Sequence, residues 1–456
     1  MSSSNRSNIC IIGAGIGGLS IASLLAMKGI KVTVFEKSDK VGGRTASMMF
    51  RNHLLDNGFH IMPFYKKSAI YEILKILGIE KELRLAKVTN IAFYDGRIFH
   101  KYPKGIIDIL TLSLVSFRSR LRLLRILLPI AFATIKKTET WDTIPVTHIT
   151  NSLDNQSRFF FDAVCMLAFA DTPEHISLGE FARTIIRANP FRGGTSEFGY
   201  PAEGGYDTIA KILARYIEKK SITSPSIHLD VTIKKVVVQQ GEVKGLITSN
   251  SNFVESNCVV ISYPAYLAIN QLFDPEVFKK EFVQHVNKLN KTTSVIEVHF
   301  ALSKRIEEQL QVVFPVGNQF SAKGIFFVSN ISSKVSPEGQ QLILTGTPVS
   351  SEDAINPERI KKIIQEMKEN LSSIYSQFNE MKDTLWERPM AWQHVESVAK
   401  EPGLVWKHKM PHEVKDQVKG LFFVGDSTIS YGIGTDSAAH SALLCYEKVL
   451  LYLYPR

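Results

Sequence analysis

The chain has 456 residues, of which 45% are hydrophobic and 21% charged, and it carries a formal net charge of +10. That length favours two or three domains over one, and the composition is that of an ordinary globular protein with a large core, not of a disordered or fibrous chain. The basic balance favours an anionic partner: nucleic acid, a membrane surface or an acidic ligand. Cys10, Cys165, Cys258 and Cys445 lie far apart without CxxC or CxxH spacing, which argues against a disulfide framework or a zinc site and for a reducing cytoplasm.

The first element is a strand over Asn8–Ile12, followed by Gly-Ala-Gly-Ile-Gly-Gly at 13–18. Gly13, Gly15 and Gly18 satisfy GxGxxG, with Ile16 and Gly17 between them. Apolar residues at helical spacing over Leu19–Lys28 predict a helix closed by Gly29, and Lys31–Phe35 predicts a second strand ending at Glu36 and Lys37. The stretch Ile9–Met27 has no charge, yet its glycines divide it into strand, turn and helix, which argues against a membrane span. Strand, glycine turn, helix, strand and acid form a dinucleotide-binding unit. Gly13 makes the tight turn, Gly15 lets a pyrophosphate approach the backbone, and Gly18 lets the helix pack on the strand. The helix amino terminus offers free N–H groups to the phosphates. Glu36 accepts ribose hydroxyls and repels a 2′-phosphate.

The continuation, EKSDKVGGRTASMMFRNHLLDNGFHI, resembles the flavoprotein superfamily of phytoene (carotenoid) desaturases, protoporphyrinogen oxidases and flavin amine oxidases. Its marks are Gly42, Gly43 and Arg44, then Asp56, Gly58 and His60. The resemblance implies FAD, with Arg44 at the phosphate or ribityl region and the backbone of Gly58, Phe59, His60 and Ile61 beside the isoalloxazine ring. The segment GLFFVGDSTISYGIGTDSAAHSALL resembles the second half of the same signature. It gives a strand over Leu421–Val424, Asp426 on a ribityl hydroxyl, and a helix capped by Thr435 or Asp436. That helix begins near Gly434 and aims its amino terminus at the flavin N1–C2=O2 edge, where reduced flavin carries negative charge. YPAEGGYDTIAKILARYIEK resembles the family's proline–glycine–glycine loop. Strands follow over Ile227–Val238, Glu242–Ile247 and Val259–Pro264, with Ile233 beside adenine. No cysteine stands where some relatives attach flavin, so the FAD is expected to be noncovalent. No second GxGxxG is present.

The fold class this implies is α/β: a Rossmann-type FAD-binding domain, discontinuous over 1–65, 200–265 and 405–456, with a mixed α+β substrate domain over 66–199 and 266–404. Within the latter, 102–137 interleaves Leu and Ile with Arg118, Arg120, Arg122, Arg125, Lys136 and Lys137. A basic helix pair of this kind suits either an anionic membrane surface or a pair of core helices with solvated arginines. Nucleic acid drops out for want of an aromatic–basic motif. His60 is the candidate catalytic residue, as a proton-placing or orienting group, with a packing role as its alternative. Ser294–Leu302 resembles the amine-oxidase strand that carries a lysine near flavin N5, and here Glu297 falls at that position, with Lys291 and Lys304 as alternatives under a shifted alignment. No metal site is expected. The leading functional expectation is hydride transfer between an apolar, isoprenoid-like substrate and flavin N5, as desaturase or saturase, in a cytoplasmic or peripheral membrane protein. An oxidase of the protoporphyrinogen or amine type, and a non-catalytic flavin- or lipid-binding protein, are the alternatives.

Overall fold

The computed structural model describes residues 8–105, 107–221, 225–379 and 381–455. Residues 1–7 and 456, at the outer edges of the expected FAD-binding segments, and Ile106, in the basic apolar stretch, lie outside the described residues. Strand β1 (Ile9–Ile12) is buried at all four positions, as a central strand covered on both faces must be. Its side chains alternate between two cores. Ile9 and Ile11 pack with helix α1 (Ile16–Met27) and the final helix, while Cys10 and Ile12 pack with Ile233, Val236 and Leu246 on the other face. Strand β2 (Val32–Phe35) pairs parallel to β1 on one side.

Helix α2 (Phe117–Ala131) and a five-residue helix at Ile135–Glu139 occupy the basic apolar stretch, preceded by a 3-10 segment at Ile107–Thr111. The expected helix pair is thus one substantial helix and two short turns. Pro129 sits in the last turn of α2 and cannot support continuation. Strand β3 (Cys258–Ile261) lies between β1 and a later strand, in a five-stranded parallel sheet that also takes in Ile227–His228 beside β2. The single strand expected over Ile227–Val238 is therefore two. His228 pairs with Phe35, Asp230 adopts a left-handed φ of 56°, and Ile233–Gln239 leaves to begin a separate three-stranded antiparallel sheet.

A seven-stranded sheet forms a second layer. Strands β4 (Ser294–Leu302), β5 (Gln341–Val349) and β6 (Thr384–Trp392) run antiparallel, with β4 in the middle of the three. On β4, Ile296, Val298, Phe300 and Leu302 pack against the helix Pro357–Ile374. Alternation sends Glu297, His299 and Ala301 to the opposite face. The chain then returns to the parallel sheet through β7 (Leu421–Phe423), beside β3, and ends in helix α3 (Gly434–Leu453). No helix among the described residues is long and apolar enough to cross a membrane; Ile9–Met27 is strand, turn and helix.

The layers are also tied by charge. Arg183, 1% exposed, pairs with Asp142 at 2.7 Å and with Glu180 at 3.0 Å, and Glu180 accepts the Gly432 N–H beside α3. Removing the cation leaves two buried carboxylates unpaired, so Arg183→Ala should cost about 3–5 kcal/mol. The midpoint and slope of denaturant unfolding measure this; a loss below about 1 kcal/mol would contradict it.

Candidate functional site

The glycine loop after β1 separates two kinds of glycine. Gly13 has φ 100°, and a Cβ there would come within 2.6 Å of the Ser262 carbonyl oxygen; one on Gly18 would overlap the Gly13 carbonyl. A Cβ on Gly17 would meet Gly425 Cα at 3.2 Å. Those three positions are required by the protein's own packing. Gly15 differs: its φ of −76° suits any residue, and a Cβ there would meet nothing within 4 Å. The space beside it is filled by no protein atom. The first bond inside α1 runs from the Leu19 N–H to the Gly15 carbonyl, so Ile16, Gly17 and Gly18 turn their N–H groups towards that space. The first turn carries no acidic side chain. This is an anion cradle.

Around the cradle, Gly42 donates its N–H to the Ala14 carbonyl at 2.9 Å, which lays the Gly42–Gly43 turn across the loop. Gly43 adopts φ 57°, and a Cβ there would stand 3.5 Å from Gly15 Cα. Glu36 is buried at the tip of β2, where its carboxylate accepts the Ala14 N–H (2.7 Å) and the Ser38 N–H (3.0 Å). Each oxygen keeps a lone pair for a further donor such as a ribose hydroxyl. Lys37 is exposed, and Ile233 is buried at the start of its strand, opposite Thr248.

Arg44 joins the two ends of the chain. Its guanidinium meets Asp426 Oδ1 at 2.7 Å, the Val395 carbonyl at 2.9 Å and Ser397 Oγ at 3.1 Å. The side chain is enclosed by protein yet 43% accessible to water, which places it on the wall of an internal cleft. Asp426 Oδ2 also takes the Ser397 N–H at 2.8 Å. Burial raises the Asp426 carboxyl, but Arg44, the Ser397 N–H and Lys400 together outweigh it and hold the group far below the ordinary carboxylate range. Lys409 lies beneath, with Nζ 2.9 Å from the Asp426 carbonyl, and burial, reinforced by Lys400, pulls it down to about 7. Ser397, Lys400 and Lys409 carry no motif or periodicity in the sequence; only the fold brings them under the cleft.

The far wall is a hairpin, Ser47–Phe50 with His53–Asp56, pinned by one carboxylate. Asp56 accepts Ser47 Oγ (2.6 Å), Tyr200 Oη (2.5 Å) and the Tyr206 N–H (3.0 Å). The following turn needs Gly58 at φ 93°. Phe59 stacks on Phe326, and Ile61 packs into the core below. His60 directs Nε2 at the carbonyls of Arg44 (3.2 Å) and Asn57 (3.1 Å), and its ring stacks on Tyr206. Burial lowers the imidazole against the pull of Asp56, and the two carbonyl acceptors assign a proton to Nε2. In this geometry His60 braces the turn against the Arg44 loop.

The final helix is capped otherwise than expected. Ile433 occupies the cap, without a side-chain bond, and Gly434 opens the helix at φ 49°. Thr435 is engaged with Tyr206 Oη at 3.0 Å, while Asp436 takes the Ala69 N–H at 2.6 Å and the Arg187 guanidinium. Neither side chain is free to cap. At the centre of β4, Glu297 is buried beside Gly58. Lys291 and Lys304, towards the two ends of that strand, are surface residues paired with Glu401 and Asp383, so Glu297 alone of the three reaches the cleft.

The family model for flavin-containing amine oxidoreductases matches residues 16–450. The chain belongs to this family. This flavin-containing oxidoreductase is 23% identical to the zeta-carotene-forming phytoene desaturase of Myxococcus xanthus, over 98% of this chain and 94% of that one. It is also 23% identical to the 4,4′-diapophytoene desaturase (4,4′-diapolycopene-forming) of a Methylomonas species, over 77% and 75% of the two chains. Among solved structures, an oxidoreductase from Methanosarcina mazei has the same fold, with a TM-score of 0.77 at 18% identity over 96% of this chain and 100% of that one. The α/β flavoprotein fold expected from the motifs is the one observed. The cradle fits the pyrophosphate and ribose of a dinucleotide, since Gly15 leaves the loop open, the first turn of α1 carries no acid, and Glu36 stands at the tip of β2 with acceptor capacity to spare.

Gly15→Ala isolates the ligand's requirement from the protein's. The apoprotein should fold with unchanged stability, while flavin affinity should fall roughly 10- to 100-fold as charge-assisted amide contacts to phosphate are pushed apart. Fluorescence titration of the apoprotein with flavin measures the loss; equal affinity would show that no phosphate approaches Gly15.

Proposed function

We propose that the protein binds FAD noncovalently and uses it to transfer hydride to or from a carbon chain of isoprenoid type, as a desaturase or saturase acting on CH–CH groups. The observation that carries this reading is the 98% span of the match to a phytoene desaturase, taken with the complete dinucleotide cradle. The amides of Gly15, Ile16, Gly17 and Gly18 would hold the pyrophosphate together with Gly43 and Arg44. Glu36 and the adjoining Lys37 would take the adenosine ribose, and Ile233 the adenine. Asp426 would take a ribityl hydroxyl, and Gly434 and Thr435 the flavin edge. Gly58, Phe59, His60 and Ile61 would line the ring, with His60 as its brace. Bound flavin supplies hydride transfer at N5. The protein supplies an apolar stack of Phe59 on Phe326. All four cysteines are buried with raised thiol pKa values, which supports a noncovalent flavin. The absence of a lysine at Glu297's position tells against an amine-oxidase-like reading.

An apolar substrate of this kind resides in lipid, and we place the point of contact on α2. Phe117 (64% exposed), Leu121 and Leu128, with Phe132 just beyond the helix, and Ile107 and Leu110 before it, face outward among the exposed Arg118, Arg122 and Arg125. Apolar side chains set in a basic field suit an anionic bilayer surface. The protein should sediment with phosphatidylglycerol vesicles and be released by salt; Phe117→Ser with Phe132→Ser should weaken the partition at least roughly tenfold, since each buried phenyl contributes about 1.5–3 kcal/mol. Equal binding by the double variant would contradict this surface.

For the reaction itself, anaerobic holoprotein mixed with phytoene or 4,4′-diapophytoene in such vesicles should bleach the oxidised flavin band and yield a product with one more double bond. Unchanged flavin with both polyenes, and in the reverse direction no alkene reduction by the pre-reduced protein, would contradict the proposal.

A further inference from the structure

The seven-stranded sheet carries a buried acid without a counter-ion at its centre. Glu297 is 7% exposed, and its oxygens accept two neutral donors: Oε2 takes the Trp392 indole N–H at 3.0 Å, and Oε1 takes the Phe59 backbone N–H at 3.4 Å. Two glycines make the slot it occupies. A Cβ on Gly58 would stand 3.5 Å from each carboxylate oxygen, and one on Gly346, the cross-strand partner on β5, would press to 3.0 Å from Glu297 Cγ. The carboxylate therefore looks across a bare Cα at the turn 57–61. Ionisable groups pack near it from every side. His299 shares its face of β4, Arg388 stands opposite His299 on β6, the Lys323 N–H bonds the Gly346 carbonyl, and Asp56 and His60 flank the Gly58 turn. Among the described residues none of them forms an ion pair with Glu297. A buried, unpaired carboxylate is costly in a fold, and such groups collect where protons are exchanged.

We propose that Glu297 is the proton-transfer residue of the site: the base that takes a proton from the substrate carbon next to the hydride donor in desaturation, and the acid that returns one in saturation. This rests on the reading of the turn 57–61 as the flavin-facing wall. In the oxidative direction, one C–H bond breaks with its electron pair leaving as hydride to the oxidised flavin. The neighbouring C–H bond breaks with its pair becoming the new π bond, and its proton goes to a Glu297 oxygen. Product departure then lets the carboxyl release that proton to solvent. Burial raises this carboxyl from its usual value, opposed only by the Phe59 and Trp392 N–H groups, to about 7. Both protonation states are thus available at neutral pH, as either direction requires. The base is present above about 7 and is lost as pH falls through it, so the desaturation rate should climb across neutrality to a plateau.

The test uses flavin-loaded protein and reads the flavin itself before any turnover. The absorbance of bound oxidised flavin, titrated across neutral pH, should show a transition near 7 in the wild type that loses one proton in Glu297→Gln, with flavin occupancy equal in both; any remainder belongs to Lys409, which titrates in the same range. Trp392→Phe removes one donor to the carboxylate and should move the transition to higher pH; this variant carries the test alone if Glu297→Gln does not fold. With phytoene, anaerobic flavin reduction by Glu297→Gln should fall at least about 100-fold and lose its rise with pH. A transition unchanged in Glu297→Gln or in Trp392→Phe, or a Glu297→Gln rate within about threefold of wild type, would overturn the proposal. If no polyene reduces wild-type flavin, the substrate reading fails, while the titration still decides whether Glu297 ionises beside the ring.

Discussion

The ion pair between Arg44 and Asp426 closes a site from opposite ends of the chain, 382 residues apart. Neither residue can reach the other unless several things are already in place. The Gly42–Gly43 turn must lie over the glycine loop, β7 must have joined β3 in the parallel sheet, and the segment 395–397 must have arrived to offer Arg44 a carbonyl and a hydroxyl. A half-buried pair is a poor source of net stability, because desolvation and screening offset much of the attraction. Its use is geometric. It holds an arginine at the wall of a cleft with an acid at its side whose pKa is held far below the ordinary carboxylate range.

The rest of the architecture serves that closure. Alternate residues of β1 feed separate cores on the two faces of the parallel sheet, which fixes the plane from which the glycine loop emerges. The seven-stranded sheet uses the same period-two logic for another end. One face of β4 is Ile, Val, Phe and Leu against a helix, and the other offers Glu297 and His299 towards the cleft. Under the proposed function, the proton would be handled by Glu297 and the hydride by the bound flavin.

The sequence made the cradle readable because its constraints are local. Gly13, Gly15 and Gly18 act within one strand, one turn and one helix, and Glu36 sits at the end of the next strand. Distance along the chain made other features opaque. The run Ile227–Val238 looks like one strand because its apolar pattern is continuous; it divides because Phe35 draws His228 into one sheet while Thr248 draws Ile233 into another. Thr435 and Asp436 read as helix caps by residue type, but Tyr206 and Arg187 claim them first. Lys400 and Lys409 carry no pattern in the sequence, and their burial under Asp426 follows from contacts that no local pattern encodes. Glu297 was visible as a departure from a lysine-bearing strand. Its lack of a counter-ion required the neighbouring sheet, the Gly58 turn and Trp392 all to be placed.

On the proposed function, the two ends of the chain form one noncovalent FAD site. Denaturing the purified protein and identifying the chromophore released into solution tests it most directly. The expected product is FAD, about one per chain and none left attached to the polypeptide. Release of FMN or of no flavin at all, or a flavin that stays bound to the denatured chain, would contradict it.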